Sequence, residues 1–433
     1  LEIVLNVRQF TVTGTIEWYL DVFNAAGLTL TSVTGYENTE KDATFDSDSG
    51  PTIRGTETHP DAWQFSQELR LAGETANFDW LAGFYYFEYQ IDGNQRRLSA
   101  AGFRDPVFFD LETDSWALFA NGEYRFNDQW RLNAGIRYTQ EDKVYALNNT
   151  DFGLVFDETT VGDAAKQDDD NISFNVRVSW DVTEDHLLYA GVSRGFKAGT
   201  FNVGFTPINF DAIPVDPERL TSYEIGFKSA FAEDTLRVSG AGFYYDYKDS
   251  QAFQFDGATL SATTFNRDAE VWGGELEVNY SPIEGLDFLV IGSYLDATLK
   301  DVELPGPLFG GGLIVDTEMP LAPKWTWTGL ARYQWDAPWG GSLAIQGDVT
   351  YKSSHFFDAF NSPSHFEDGY AFGNARLSWL SEDEQWEFSV WAENITDEEY
   401  RTYAFDLSFL GFATDVFAKP RWVGGTITYK FGG

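Results

Sequence analysis

The sequence predicts an all-β protein, an antiparallel β-barrel that crosses a membrane. Three observations predict it. Apolar and polar residues alternate with period two along many segments. Short turns and long loops alternate between those segments. Aromatic residues make up 17% of the chain, with 15 Trp and 21 Tyr, and these amphipathic rings settle at the two water–lipid boundaries of a barrel.

The alternation is plain between Trp130 and Thr139. Trp130, Leu132, Ala134, Ile136 and Tyr138 form one set, and Arg131, Asn133, Gly135, Arg137 and Thr139 the other. Successive side chains on a strand point to opposite faces, so one face is greasy and the other wet. Ile172, Phe174, Val176, Val178 and Trp180 alternate in the same way with Ser173, Asn175, Arg177 and Ser179. So do Leu343, Ile345, Gly347, Val349 and Tyr351 with Ala344, Gln346, Asp348, Thr350 and Lys352, and Tyr223, Ile225 and Phe227 with Glu224, Gly226 and Lys228. A soluble sandwich alternates too. Here the wet positions are often fully charged and the apolar sets often begin or end on Trp or Tyr, which favours lipid.

The connections support this choice. Asn127–Asp128–Gln129 and Thr183–Glu184–Asp185 are short turns, whereas 148–168, 199–217, 301–317 and 352–366 are long and rich in Asp, Gly and Pro. Short turns at one end and long loops at the other describe an outer-membrane barrel. About seventeen strands are expected, each with roughly ten residues across the lipid, the first near Gln9–Leu20 and the last near Val416–Phe431.

Composition excludes other classes. The net charge of −39 disfavours a nucleic-acid partner, which needs a basic face. With no Cys there is no disulfide scaffold, thiolate metal site or Cys nucleophile. No apolar run reaches the roughly 18 residues of a membrane helix; the most apolar stretch is Phe288–Leu295.

Several lookalike sites weigh little. Gly191-Val192-Ser193-Arg194-Gly195 matches the G-x-S-x-G elbow, but that elbow needs a helix after the turn, and Phe196–Phe205 has no helical period. His59, His186, His355 and His365 lack the spacing of a helical zinc site, although His355 and His365 flank one long loop where a surface metal contact is conceivable. Asp46, Asp48 and Asp168–Asp170 offer oxygens to Ca²⁺, but solvated acidic loops are the preferred reading. No catalytic residue, metal ligand or cofactor is assigned, and no substrate-binding residue is named. The inward positions Arg131, Arg137, Arg177, Asp348, Glu275 and Glu277 are expected to hydrate the interior or hold a plug.

Five segments resemble TonB-dependent outer-membrane receptors: FSQELRLAG at 65–73, LLYAGVSRGFKAGTFN at 187–202, DPERLTSYEIGFK at 216–228, NRDAEVWGGELEVNY at 266–280 and NITDEEY at 394–400. Their order and spacing match that family. Val423, Ile427, Tyr429 and Phe431 share one face of the final strand, as in outer-membrane proteins that end on an aromatic, although Gly432 and Gly433 follow here.

The resemblance implies a 22-stranded barrel around an N-terminal plug. All of 1–433 would be barrel, with the plug and first strands outside this sequence, and Gln9–Leu20 would be the sixth strand. It implies residence in the bacterial outer membrane, contact with its lipid and lipopolysaccharide, and TonB acting through the region outside this sequence. It further implies active import of a small-molecule ligand, most often a ferric siderophore, with no enzymatic step. The net charge of −39 is awkward for an anionic chelate. Uptake of a saccharide or other non-iron ligand, and a passive porin-like channel, stay open. Haem is disfavoured because 199–217 contains no His.

Overall fold

A computed structural model describes residues 4–22, 25–46, 55–99, 102–103, 106–149, 154–202, 214–256, 261–304, 312–407 and 412–431. Its long strands are β1 (Val4–Val22), β2 (Ala25–Asp46), β3 (Gly55–Glu74), β4 (Phe78–Ser99), β5 (Val107–Arg125), β6 (Trp130–Asn149), β7 (Lys166–Thr183), β8 (His186–Lys197) and β9 (Glu218–Phe231). They continue as β10 (Leu236–Asp256), β11 (Ser261–Ile283), β12 (Leu286–Glu303), β13 (Trp325–Asp336), β14 (Ser342–Lys352), β15 (Tyr370–Leu380), β16 (Trp386–Glu393) and β17 (Trp422–Tyr429). The seventeen long strands match the expected number. No described helix is long and apolar enough to cross a membrane, which says nothing against crossing by strands.

The chain forms two compact units, one of residues 1–178, 192–221 and 247–267 and the other of 179–191, 222–246 and 268–433. In the first unit β1 to β6 pair antiparallel, each with the next along the chain. In the second, β12 to β17 do the same. Hairpins between adjacent strands need only short connections, which is why the pairing follows the sequence.

Exposure confirms the assignment of faces. Ile136, Leu118 and Val12 lie outward in the first unit, and Ile345, Val349, Val390 and Ile427 in the second, all more than half exposed. A large apolar side chain left open along a whole sheet face is the mark of a surface solvated by lipid. Rings band that face: Phe65 meets Tyr86 at 6.4 Å between centroids and Trp116 meets Tyr138 at 5.5 Å.

The expected boundaries need correction at the ends. The first strand is longer than Gln9–Leu20, running from Val4 to Val22. Val416 does not open the last strand. It pairs with Tyr403 in a separate hairpin, Arg401–Leu407 against Phe412–Phe417, and the last long strand starts at Trp422. Pro420 explains the break, because a residue without an N–H cannot continue the ladder. The loop at 148–168 carries a short helix, Glu158–Val161, capped by Asp157, which accepts from the Thr159 and Thr160 N–H groups. Residues 47–54, Asp48 among them, and the middle of 199–217 and 301–317, lie outside the described residues.

Candidate functional site

A membrane barrel meets solutes at its inward face and at its long-loop end, which faces outward in an outer-membrane barrel. In the second unit both meet at a cavity of about 600 Å³, whose lining includes Asp348, Phe372, Arg376, Trp391, Tyr400 and Lys419. Its charges are mixed. Asp348 accepts from Asn374 Nδ2 at 2.7 Å, Arg376 donates to Glu387 at 2.8 Å, and Lys419 stands 4.8 Å above the Trp422 ring. Its rings are ordered, with Tyr400 stacked on Tyr370 at 4.1 Å and on Phe372 at 5.2 Å. Such a wall suits non-covalent capture, with flat apolar surface and a few fixed polar groups.

The segment 394–400 builds the rim of this cavity. Asn394 adopts φ +47°, a left-handed conformation that Asn tolerates better than most residues. Its side-chain oxygen accepts from the Glu398 N–H at 2.9 Å, and its Nδ2 donates to the carbonyls of Glu398 at 2.8 Å and Lys419 at 3.2 Å. Its own N–H donates to Asn374 Oδ1 at 3.0 Å. Asp397 accepts the Arg421 N–H at 2.8 Å. The N-x-x-D-x-x-Y spacing is thus a turn that closes on itself and sends the chain back into β17.

Arg401 locks two outer loops together. Its Nε donates to Glu367 at 2.6 Å, Nη1 to the Ser364 carbonyl at 3.0 Å and to Asp415 at 3.3 Å, and Nη2 to the Phe366 carbonyl. The guanidinium also lies 5.7 Å above the Phe357 ring. His355 and His365 sit in the same assembly, each only 5% exposed, so they are buried and not surface histidines of the loop. His365 pairs through Nδ1 with Asp358 at 2.7 Å. Burial alone would raise the Asp358 carboxyl, but hydrogen bonds from His365 and from the side chain and backbone of Ser362 outweigh it and hold it below the usual range. Burial pushes His355 down, so its neutral form is favoured.

In the first unit the ends of three motif segments form a polar collar. Glu218 accepts from the Gln251 N–H at 2.7 Å, and Asn266 donates to the carbonyls of Asp216 at 2.9 Å and Asp249 at 2.7 Å. Asn202 and Thr264 hold each other through the Asn202 amide. Asp169 accepts the Gly199 N–H at 2.8 Å, which gives this member of the acidic run a structural task. Ser193 lies inside the continuous strand β8, so no nucleophile elbow exists there. His59 bonds Asp42 at 2.7 Å, and His186 packs on Phe231 at 5.0 Å.

The expected inward residues lie on the face opposite the lipid-facing one. Glu275 and Glu277 pair across β11 and β12 with Ser293 and Ile291. Below Arg137, Asn121, Asn133 and Asn175 are joined by amide hydrogen bonds, with Asn175 to Asn133 at 2.8 Å. Gly135 makes room for them: a Cβ there would lie 2.4 Å from Asn175 Oδ1. Nothing in the sequence marked this amide ladder, because its partners come from different strands.

Comparison with known proteins decides the family. Residues 6–395 match the family described as TonB dependent receptor-like, beta-barrel. The chain belongs to that family. It is 24% identical to the pesticin receptor of Yersinia pestis over 356 residues, covering 80% of this chain and 49% of that protein. It is 23% identical to a probable TonB-dependent siderophore receptor, PiuA, of Acinetobacter baumannii over 195 residues, 44% of this chain and 25% of that protein. The chain therefore spans about half the length of the pesticin receptor it matches.

The crystal structure of the ferric yersiniabactin uptake receptor FyuA from Yersinia pestis has the same fold, with a TM-score of 0.78 at 20% identity over 98% of this chain and 62% of that one. The copper transporter OprC superposes with a TM-score of 0.75 at 14% identity, covering 98% of this chain and 65% of that one. As a member of this family the chain is an outer-membrane protein.

Proposed function

We propose that this chain is the wall of a receptor that imports a scarce nutrient across the outer membrane, with a ferric siderophore or similar iron chelate as cargo and TonB as the energy source. All 433 residues belong to the barrel in this reading. The observation that carries it is family membership across residues 6–395 together with the ring-lined cavity at the outer mouth. Relatives described as siderophore receptors favour iron. A copper transporter on the same fold shows that the fold does not choose the cargo. No covalent step is assigned: outer loops capture the ligand, and partners outside this sequence do the mechanical work. The test is binding by the full-length protein. Ferric chelates are expected to quench its tryptophan fluorescence saturably and maltooligosaccharides are not. Saturable binding of the sugars alone would replace iron with a saccharide.

A further inference from the structure

Strand β4 departs from simple alternation, as β10 also does at Phe243-Tyr244-Tyr245. Phe84-Tyr85-Tyr86-Phe87-Glu88-Tyr89 places rings on both faces. Phe84 and Tyr86 face outward, Phe84 in register with the exposed Leu118, and lipid accounts for them. Tyr85, Phe87 and Tyr89 point inward, where a hydrated interior calls for polar side chains. These three rings form a ladder: Tyr85 to Phe87 is 6.4 Å with planes 12° apart, and Phe87 to Tyr89 is 6.3 Å with planes 9° apart. Small residues flank it, with Ser66 and Ser115 opposite Phe87 and Ala117 opposite Tyr85.

At the foot of the ladder stands Arg137. Its guanidinium lies 5.3 Å from the Tyr85 ring and 5.4 Å from the Phe119 ring. Nε donates to Thr139 Oγ1 at 3.1 Å, and no carboxylate lies within ion-pair distance of this arginine among the described residues. Carboxylates are at hand elsewhere on this wall, where Lys143 is held by Glu141 and Arg70 by Glu68 at 2.9 Å. A guanidinium stacked on rings, with its terminal nitrogens directed to no protein acceptor, is a preorganised donor for a planar oxyanion.

We propose that Arg137 with Tyr85, Phe87, Tyr89 and Phe119 forms a binding subsite on the interior wall for a flat, anionic aromatic group, such as the catecholate or phenolate of an iron chelate. The oxyanion takes the two terminal nitrogens of Arg137 and the ring lies against the ladder. This placement resolves the charge problem. A net charge of −39 cannot draw an anion in by its long-range field, so recognition falls to a cation with no carboxylate partner among the described residues and to stacking, which is indifferent to net charge. The proposal rests on the iron-chelate reading above and narrows it to aromatic, anionic chelates.

The experiment measures fluorescence-quenching affinities of the full-length protein for the ferric complex of dihydroxybenzoate, for ferric citrate and for a neutral ferric trihydroxamate. Arg137→Gln is expected to weaken the dihydroxybenzoate complex about tenfold or more while moving the trihydroxamate less than about twofold, and Arg137→Lys to recover part of the loss. Phe87→Leu is expected to weaken the dihydroxybenzoate complex several-fold and to leave ferric citrate unchanged. Folding of each variant is read from its migration on unheated gels. Unchanged dihydroxybenzoate binding by Arg137→Gln, or equal weakening of all three complexes, would overturn the subsite. Wild-type binding of the trihydroxamate alone would overturn the subsite and leave the iron-chelate reading standing. Binding of none of them would overturn both.

Discussion

The two units solve the same problem differently. Strands β1 to β6 of the first run 19–22 residues. Strands β13 to β17 of the second run only 8–12. At roughly 3.3 Å per residue, twenty residues reach about 65 Å, well beyond what lipid requires, whereas 8–12 about match it. In the first unit the backbone ladder itself carries the structure past the lipid, and an apolar cluster of Phe109, Leu111, Tyr145, Leu147, Phe156 and Phe201 fills the inward side. In the second the ladder stops, and side-chain hydrogen bonds around Asn394, Arg401 and the Asp358–His365 pair order the loops. Backbone pairing tolerates substitution; a network centred on single side chains does not.

That contrast can be broken at single residues. The largest effect is expected at Arg401→Ala, which leaves the mostly buried Glu367 without its partner. Removing one member of such a pair costs about 3–5 kcal/mol. Hydrogen exchange should show faster opening of 353–369 and 401–417 with the strands unaffected, and uniform protection would show that the loops are held some other way. Val176→Arg, on the lipid face of β7, should cost about 2–4 kcal/mol in folding into lipid. Asn175→Ala, one position away but inward, should cost only about 1 kcal/mol for its lost hydrogen bond. Equal costs would reverse the facing of that strand.

Smaller effects sharpen the comparison. The second-unit loops should respond to mild acid through His355, whose environment includes Glu367, Lys352, Arg401 and the Ser353 carbonyl. Its folded pKa is depressed, so the unfolded loop binds the proton more readily. Stability is therefore full above the ordinary imidazole value of about 6.5 and declines as pH falls below it. The Asp358 carboxyl is also depressed, but its contribution is lost only below the ordinary carboxylate value of about 3.9, so Asp358 does not contribute in the window from about 6.5 to 5. Exchange in 353–369 should quicken across that window in the wild type and not in His355→Phe. The smallest change is expected in the first unit at Tyr145→Phe. The Tyr145 hydroxyl is fully buried without a hydrogen-bond partner, so its removal should shift stability by less than about 0.5 kcal/mol or raise it. A large loss in thermal unfolding would reveal a polar partner for that hydroxyl.

Much of this was legible in the sequence, and the reason is periodicity. Facing depends only on position parity, so Ile136, Val176 and Ile345 could be assigned outward without a structure. Strand number and short turns follow from the same pattern. The end of the chain misled because Val416 and its neighbours have strand composition but pair with Arg401–Leu407 in a hairpin of their own, and composition does not name a partner. The candidate sites were legible only in part. NITDEEY stood out as a motif, yet its physical role, a self-closing turn at the rim of a cavity, needed coordinates. Arg137 was correctly placed inward. Its missing carboxylate was invisible, since ion pairing is a property of neighbours from other strands.

The central claim is energised import, and iron accumulation tests it most directly. Cells expressing the full-length protein under iron limitation, with and without TonB, are given a radiolabelled ferric chelate. The account predicts uptake against the gradient that is abolished without TonB while binding at the cell surface persists. Equal uptake in both strains would contradict it and favour a passive channel.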